Sequence, residues 1–198
     1  MAPQILLEEV GADYRRVIID TEKGEEMEAD YLAVNPRGQI PALLLPDGSL
    51  LTESAAIVLH IADSHPDSDL LPSPGSVERA QVYRWLFYSV ANIYESDLRL
   101  YYSERFATDA HCVASIKNKA REDMDSAWEL LEQQLGNGPY LLGDQYSVID
   151  PYLLMLVYWH EQPQDLLARC PKLKRLCETV YQRPAVQRIW LQHYPAGS

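Results

Sequence analysis

The chain has 198 residues, 47% of them hydrophobic and 23% charged, which is ordinary for a globular protein with a sizeable core. Its formal net charge is −12, and residues 1–75 carry 14 acidic against 4 basic side chains. Because contacts to phosphate groups need clustered Lys and Arg side chains, this charge excludes nucleic acid and anionic membranes as expected partners.

Three further features of the sequence indicate the cellular compartment of the protein and whether it has a membrane span or a metal site. No apolar run approaches the ~20 residues of a membrane span, and no charged and then apolar leader precedes the first predicted helix. The three cysteines form no CxxC pair, which is typical of a reducing compartment. The five histidines are scattered, without the spacing of metal ligands. We therefore expect a cytoplasmic protein with no membrane partner and no metal.

The first part of the chain predicts alternating helices and strands. An amphipathic helix over residues 2–10 has Pro3 in its first turn and Gly11 after its last residue. Residues 14–20 contain three consecutive β-branched side chains and are predicted as a strand. Residues 24–34 are rich in acids and poor in apolar anchors, which predicts a weakly stabilised helix.

A hairpin and a further helix complete this half of the chain. The Leu-rich segments 43–45 and 50–51 are predicted as the strands, and Asp47-Gly48 as the tight turn between them. A helix over residues 53–64 follows. Three prolines and a glycine then interrupt any regular element, which predicts a domain linker over residues 65–76.

After the linker the pattern is helical to the end of the chain. The predicted helices cover residues 77–103, 110–135, 147–160, 171–183 and 184–192. At the start of the third, Ser147 with Asp150 forms a capping box with Asp in place of Glu, to which we assign a folding role. The sequence thus predicts a small α/β domain over residues 1–64, a linker over 65–76 and an all-α domain over 77–198.

One loop carries the strongest functional pattern, and it reads Asn-Pro-Arg-Gly-Gln-Ile-Pro-Ala-Leu. Gly38 permits a positive φ. The bond between Ile40 and Pro41 can be cis, which would turn the main chain of Ile40 outward. Further on, a helix that begins on Glu53 and Ser54 offers a hydroxyl and free N–H groups to a carboxylate. Exposed backbone beside such a helix start suits the binding of a small peptide.

This loop and helix start resemble the glutathione transferase family, whose pattern is N-P-x-G-x-[IV]-P-A-L followed by E-S-x-A-I. Residues 2–11 resemble the first helix of that family, and residues 143–150 resemble its G-D-x-x-S-x-x-D motif. The resemblance covers nearly the whole chain and is to bacterial, somewhat beta-class-like members. It implies a thioredoxin-like α/β domain followed by an all-α domain, usually paired as a homodimer with the active cleft between the domains.

The resemblance also places a glutathione site residue by residue. Gln39 and Ile40 would contact the tripeptide, with the backbone of Ile40 pairing with the cysteinyl unit and Pro41 as the cis-proline. Glu53 would take the γ-glutamyl ammonium group, and Ser54 the neighbouring carboxylate. The simpler alternative is that Glu53 and Ser54 only cap the helix.

Other candidates are less specific. Arg37 would either bind the glycyl carboxylate or be a solvated loop charge. Arg99 stands where the beta class would carry a His, which puts beta-class chemistry in doubt. The resemblance implies a pocket for a small hydrophobic electrophile, and packing in the core or in a dimer is the alternative role for its aromatic residues. These candidate pocket residues are Tyr94, Tyr101, Tyr152 and Trp159.

The catalytic residue is not identified. In the family a strand and a loop precede the first helix, and the loop carries the catalytic Ser, Tyr or Cys, whereas the helix here is predicted from Ala2. Either the start was assigned at an internal Met, which we favour, or the protein lacks that strand. For the chain as given we expect a rearranged or open sheet, or a loose first domain docked on a sound helical one.

Two functions compete. The first is an enzyme that binds glutathione as a co-substrate and conjugates or reduces a hydrophobic electrophile, as in detoxification. The second is a glutathione-binding or scaffolding homologue without catalysis. A thiol oxidoreductase is a third possibility, weakened by the absence of cysteine from residues 1–64.

Overall fold

The computed structural model describes residues 1–194, so the last four residues of the predicted 77–198 domain lie outside it. The first part of the chain contains few and short elements. In chain order they are α1 (Ala2–Glu9), a 3₁₀ turn (Glu25–Met27), α2 (Ala29–Leu32), β1 (Leu43–Leu44), β2 (Leu50–Leu51) and α3 (Ser54–Asp63).

The second part is helical. It begins with α4 (Val77–Tyr88), a π-helical segment (Ser89–Tyr94) and α5 (Glu95–Tyr101). Two 3₁₀ turns lead into α6 (Val113–Gln134). The remaining helices are α7 (Ile149–Trp159), α8 (Pro163–Arg169), α9 (Pro171–Tyr181) and α10 (Pro184–His193).

The core lies among these helices, with α7 in its centre. All residues of α7 from Ile149 to Val157 are buried. Helix α1 packs against this core, because its buried face contacts α3, α7 and α10. The first part of the chain is therefore fixed to the helical part through α1 rather than through the hairpin.

The hairpin forms as predicted. Strands β1 and β2 pair antiparallel, with Leu43 opposite Leu51 and Leu44 opposite Leu50. Gly48 has a φ of +84° at the turn, and the N–H of Leu45 donates to the carbonyl of Ser49 at 2.9 Å. Over residues 1–194 this pair is the one sheet of the structure, in line with the expected open or rearranged sheet.

The predicted strand over residues 14–20 is wrong. These residues carry no ladder hydrogen bonds, and the side chains of Val17 and Ile18 are 63% and 69% exposed. Their β-branched side chains favour extended backbone, but a strand also needs a neighbouring strand with which to pair. The predicted helix over 24–34 is likewise broken, into the 3₁₀ turn and the single turn of α2.

Two other differences concern helices. The predicted helix over residues 77–103 is interrupted by the π-helical segment, where a wider turn shifts the faces of α4 and α5 relative to each other. Helix α8 was not predicted from the sequence, and it begins on Pro163, a favoured first position.

The predicted linker is held in place at both ends. Arg79, on α4, donates to the carbonyl of Pro72 at 3.0 Å and forms an ion pair with Asp63 at the end of α3. Leu70 is buried, and its carbonyl accepts from the N–H of Val148 at 3.1 Å. Among the helices described, none combines the length and apolar character needed to cross a bilayer.

Candidate functional site

The loop that precedes β1 is shaped by its own hydrogen bonds. Asn35 is buried, and its side-chain amide donates to the carbonyl of Gln39 at 2.7 Å. The Asn35 Oδ1 atom accepts from the backbone N–H of Arg37 at 3.2 Å. The Tyr31 hydroxyl also donates to the Gln39 carbonyl, at 2.7 Å. These bonds fold the loop back on itself and leave residues 39–41 at the surface.

Gly38 is required at its position in this loop. Its φ is +58°, in the region that residues with a Cβ rarely adopt. A Cβ atom there would lie 2.7 Å from Met27 Sδ and 3.0 Å from the carbonyl oxygen of Glu26. The loop therefore packs closely on the preceding 3₁₀ turn, which sets where residues 39–41 emerge.

The Ile40–Pro41 peptide bond is cis, as the sequence predicts. In the described chain no hydrogen bond uses the N–H or the carbonyl of Ile40, and 47% of this residue is exposed. Its main chain thus presents one free donor and one free acceptor, which is what a partner peptide in an extended conformation needs.

The start of α3 faces this loop. Glu53 precedes the helix with a φ of +65°, unusual for a residue with a side chain. Arg37 Nη1 lies 3.6 Å from Glu53 Oε1, and both side chains are about two-thirds exposed. The ion pair brings the predicted residues of the loop and of the helix start together. It also gives Arg37 a partner that the sequence does not indicate.

Ser54, the first residue of α3, is linked to the helical part of the chain. Its hydroxyl lies 2.8 Å from the hydroxyl of Tyr152 on α7. Burial raises the pKa of Tyr152 to about 12. Tyr152 is fully buried and does not line the cavity formed by the other three predicted pocket aromatics. It holds Ser54 in position instead.

Those three aromatics do come together. A cavity of about 420 Å³ lies between α5 and the end of α7, and it opens to solvent. The rings of Tyr94 and Trp159 are 5.4 Å apart, and the hydroxyl of Tyr101 donates to the carbonyl of Trp159 at 3.1 Å. Tyr102 and Tyr158 also line the cavity.

Asp97 lines the same cavity and was missed in the sequence. It is 7% exposed, and its Oδ1 atom has no hydrogen-bond partner in the described chain. Burial, and to a smaller extent the charge of Glu161, raises the pKa of Asp97 to about 7. The sequence does contain a pattern that could have identified it. Asp97 lies three residues after Tyr94 and four before Tyr101, so the three side chains fall on the same helical face.

Arg99 has a structural role here. Its guanidinium group bonds to the carboxylates of Glu95 at 2.8 Å and Asp123 at 3.2 Å, and to the Ser96 hydroxyl at 3.1 Å. These contacts join α5 to α6, and they occupy the guanidinium group with protein partners. Among residues 1–194, no cluster of three or more His, Cys, Asp or Glu side chains could hold a metal ion.

The chain matches known proteins over most of its length. Residues 3–64 match the family profile "Glutathione S-transferase, N-terminal domain", and residues 96–193 match "Glutathione S-transferase, C-terminal domain". Glutathione S-transferase GstA of Escherichia coli O157:H7 is 31% identical over 188 residues, which cover 94% of this chain and 90% of GstA.

Solved structures agree with these matches. A glutathione transferase homologue from Sulfitobacter with bound glutathione has a TM-score of 0.90 at 27% identity, covering 97% of this chain and 92% of the homologue. BphK, a bacterial GST solved as a ternary complex, has a TM-score of 0.82 at 34% identity, covering 94% of this chain and 90% of BphK. The predicted fold class, a thioredoxin-like domain followed by a helical one, is confirmed. The chain therefore belongs to the glutathione S-transferase family.

Proposed function

We propose that the protein binds glutathione across the loop and the start of α3. The main chain of Ile40, free of protein partners, would pair with the cysteinyl unit, with Gln39 and Pro41 on either side. Glu53 would bind the γ-glutamyl ammonium group. The first N–H groups of α3 and the Ser54 hydroxyl would bind the γ-glutamyl carboxylate.

One observation carries this proposal: the ion pair between Arg37 and Glu53, 3.6 Å long and largely exposed. It joins the loop to the helix start at the surface, so that a cation and a carboxylate flank the free backbone of Ile40. Glutathione carries the opposite charges in the same molecule, with an ammonium group at one end and a carboxylate at each end. Each charged side chain can therefore exchange its partner for one of the ligand.

The second substrate would occupy the aromatic cavity. Tyr94, Tyr101 and Trp159 give it apolar walls, which suit a small hydrophobic electrophile. Burial raises the pKa of Tyr94, and the charge of Glu53 in the proposed glutathione site makes a smaller contribution in the same direction. Conjugation of the glutathione thiol to that electrophile is the proposed reaction.

A second candidate, glutathione binding without conjugation, is favoured by a separate observation. A thiolate at neutral pH needs a hydrogen-bond donor or a positive field near its sulfur. The Tyr31 hydroxyl donates its proton to the carbonyl of Gln39. The Ser54 hydroxyl is engaged with Tyr152. The Tyr31 hydroxyl is thus already in use, and the Ser54 hydroxyl has its proposed role at the γ-glutamyl carboxylate, so neither of these two hydroxyls is assigned to the glutathione sulfur.

Two measurements separate these candidates. Titration calorimetry with glutathione tests binding, and formation of the conjugate with a chromogenic aryl halide tests transfer. Glu53→Gln should weaken glutathione binding about tenfold or more, because a charge-assisted contact is lost. Glu95→Gln, which removes a charge on α5, is the matched control. Binding without conjugation would establish the second candidate, and no binding by the wild type would reject both.

The homodimer implied by the family resemblance is also part of this proposal. Helix α4 leaves Val77 and Phe87 exposed, and α6 leaves Leu130 exposed, at 71%, 60% and 41% respectively. Apolar side chains of this size on helix surfaces suit an interface with a second copy. Light scattering would test it, and a mass of one chain at micromolar concentration would contradict it.

A further inference from the structure

A buried acid stands in the wall of the aromatic cavity. Asp97 is 7% exposed, and within residues 1–194 its buried Oδ1 atom accepts no hydrogen bond from a side chain or backbone group. Buried polar groups almost always have partners, because an unpaired one keeps its full desolvation cost. The Oδ1 atom of Asp97, at the wall of the cavity, can therefore accept a hydrogen bond from a ligand that enters the cavity.

Among residues 1–194, no Lys, Arg or His side chain forms an ion pair with this acid. Arg99 is the basic residue nearest to Asp97 along the helix, and its guanidinium group donates instead to Glu95, Asp123 and Ser96. The charged group that acts most on Asp97 is Glu161, which is also an acid. Glu161 is itself paired with Arg121 at 2.8 Å, so among the described residues Asp97 is the acidic group of the cavity wall that has no counter-charge.

The remaining walls favour a cation as well. Aromatic rings present a negative face, and they attract ammonium groups that approach within about 6 Å of the ring centre. The cavity is lined by Tyr94, Tyr101, Tyr102, Tyr158 and Trp159 around the one carboxyl group. Several aromatic rings around one acid form the combination that recognises organic ammonium ions, whereas a purely hydrophobic ligand would leave Asp97 unpaired and buried.

We propose that this cavity binds a positively charged nitrogen attached to an aromatic or otherwise apolar body, with Asp97 as the counter-ion. The inference rests on the proposed function, in which the cavity holds the second substrate, and it names the class of that substrate: an apolar electrophile that carries an amine. The cavity volume of about 420 Å³ accommodates one aromatic ring with a short side chain. Asp97 sets specificity by charge, and the rings supply the apolar surface.

Three probes on one frame test this by titration calorimetry with the full chain. They are 2-phenylethylammonium, 2-phenylethanol and 3-phenylpropanoate, which differ chiefly in charge. The wild type should bind the ammonium probe about tenfold or more tightly than the alcohol, and the carboxylate most weakly. Equal affinity for the ammonium probe and the alcohol, or no binding of the ammonium probe, would overturn the proposal. This comparison needs no variant, so it decides the question even where a variant fails to fold.

Two variants locate the effect. Asp97→Asn keeps the shape of the side chain and removes its charge, and it should reduce affinity for the ammonium probe about tenfold while changing affinity for the alcohol less than about twofold. Glu161→Gln removes a nearby charge that does not line the cavity, and it should change both affinities less than about threefold. An equal loss in both variants would assign the preference to the general field and reject Asp97 as the counter-ion.

The result is independent of glutathione. The probes test the cavity alone, so failure of the charge series leaves the glutathione site untouched. Conversely, a wild type that binds the ammonium probe but not glutathione would reject the proposed transferase function and keep the cation site.

Discussion

At the scale of single residues, the proposed glutathione site consists of charges that are already paired. Arg37 and Glu53 neutralise each other at 3.6 Å, although the sequence separates them by a hairpin. Both side chains are largely exposed, so their attraction is screened by water and costs little to break. In the proposed binding mode, glutathione would replace both partners at a small cost, with its ammonium group on Glu53 and its glycyl carboxylate on Arg37.

This exchange predicts a modest and specific effect of Arg37→Ala. We expect glutathione to bind about two- to fivefold more weakly, since an exposed ion pair contributes at most about 1 kcal/mol. The glycyl ethyl ester of glutathione lacks the carboxylate in question. It should bind the wild type and Arg37→Ala with equal affinity in titration calorimetry. A loss of affinity for the ester as large as that for glutathione would place Arg37 elsewhere in the site.

Asp97 gives the molecule a pH dependence of stability. Burial raises the pKa of its carboxyl group to about 7 in the folded protein, above its usual value of 3.8. Between these pH values the folded state holds a proton that the unfolded chain has released. The stability present at low pH is therefore lost as the pH rises toward about 7.

The variant Asp97→Asn should remove this dependence. Relative to the wild type, its free energy of unfolding should rise by about 2–4 kcal/mol between pH 4 and pH 7.5. Urea unfolding of both proteins at a series of pH values measures the difference, in which titrating groups that do not act on Asp97, Asp150 among them, cancel. Parallel curves for the two proteins would show that Asp97 is ionised and compensated in the folded state.

At the scale of elements, the start of α7 depends on one buried carboxylate. Asp150 accepts from the N–H of Leu141 at 2.8 Å and from the N–H of Ser147 at 2.7 Å. The Ser147 hydroxyl donates to it at 3.2 Å. The helix begins at Ile149, so Ser147 does not cap it in the way the sequence predicts. Only the half of the capping box in which the acid reaches back to the preceding backbone is formed.

The two members of this motif should therefore differ in importance. Asp150→Ala leaves one buried and one partly buried N–H group without acceptors and should lower the free energy of unfolding by about 2–5 kcal/mol. Ser147→Ala removes one donor to a group that keeps two others, and it should cost about 1 kcal/mol or less. Urea unfolding at pH 8 measures both. Equal losses would mean that the hydroxyl matters as much as the carboxylate.

The elements that the sequence predicts well are those whose stability is local or strongly periodic. The helices α1, α3, α6, α9 and α10 lie where apolar spacing, prolines and glycines place them. The strand over residues 14–20 was predicted wrongly, because pairing depends on a neighbour that local composition does not specify. The π-helical segment within 77–103 was missed for a similar reason, since it depends on packing against other helices.

In the candidate site too, some features could be predicted from the local sequence and others could not. The loop conformation follows from its residues, because Asn35, Gly38 and Pro41 each have a local structural effect that the sequence reveals. The pairing of Arg37 with Glu53, and the burial of Tyr152 behind Ser54, join segments that are distant in sequence. Such contacts are set by tertiary packing and could not be predicted from spacing along the chain.

At the scale of the whole molecule, the first part of the chain is held to the helical part by contacts of α1. Glu9 at the end of α1 forms two hydrogen bonds with the guanidinium group of Arg183, at 2.6 and 2.8 Å. That group also lies 3.7 Å from the centre of the Tyr146 ring. The neighbouring pair of Glu8 with Arg188, 3.0 Å long, is more exposed.

The two pairs should contribute unequally to stability. Glu9→Gln keeps the size of the side chain but leaves the partly buried guanidinium group without its counter-charge, and it should lower the free energy of unfolding by about 1–3 kcal/mol. Arg188→Gln, the matched control on the exposed pair, should change it by less than about 1 kcal/mol. Urea unfolding followed by tryptophan fluorescence measures both effects. Trp190 lies on α10, the helix that contains Arg188 and directly follows Arg183, so its fluorescence reports on this region. If Glu9→Gln unfolds at the same urea concentration as the wild type, the attachment of α1 rests mainly on its buried apolar face. In that case Ile5 and Leu6, both fully buried, carry the attachment of α1, in addition to the Ser54–Tyr152 contact and the Arg79–Asp63 ion pair that also join the two parts of the molecule.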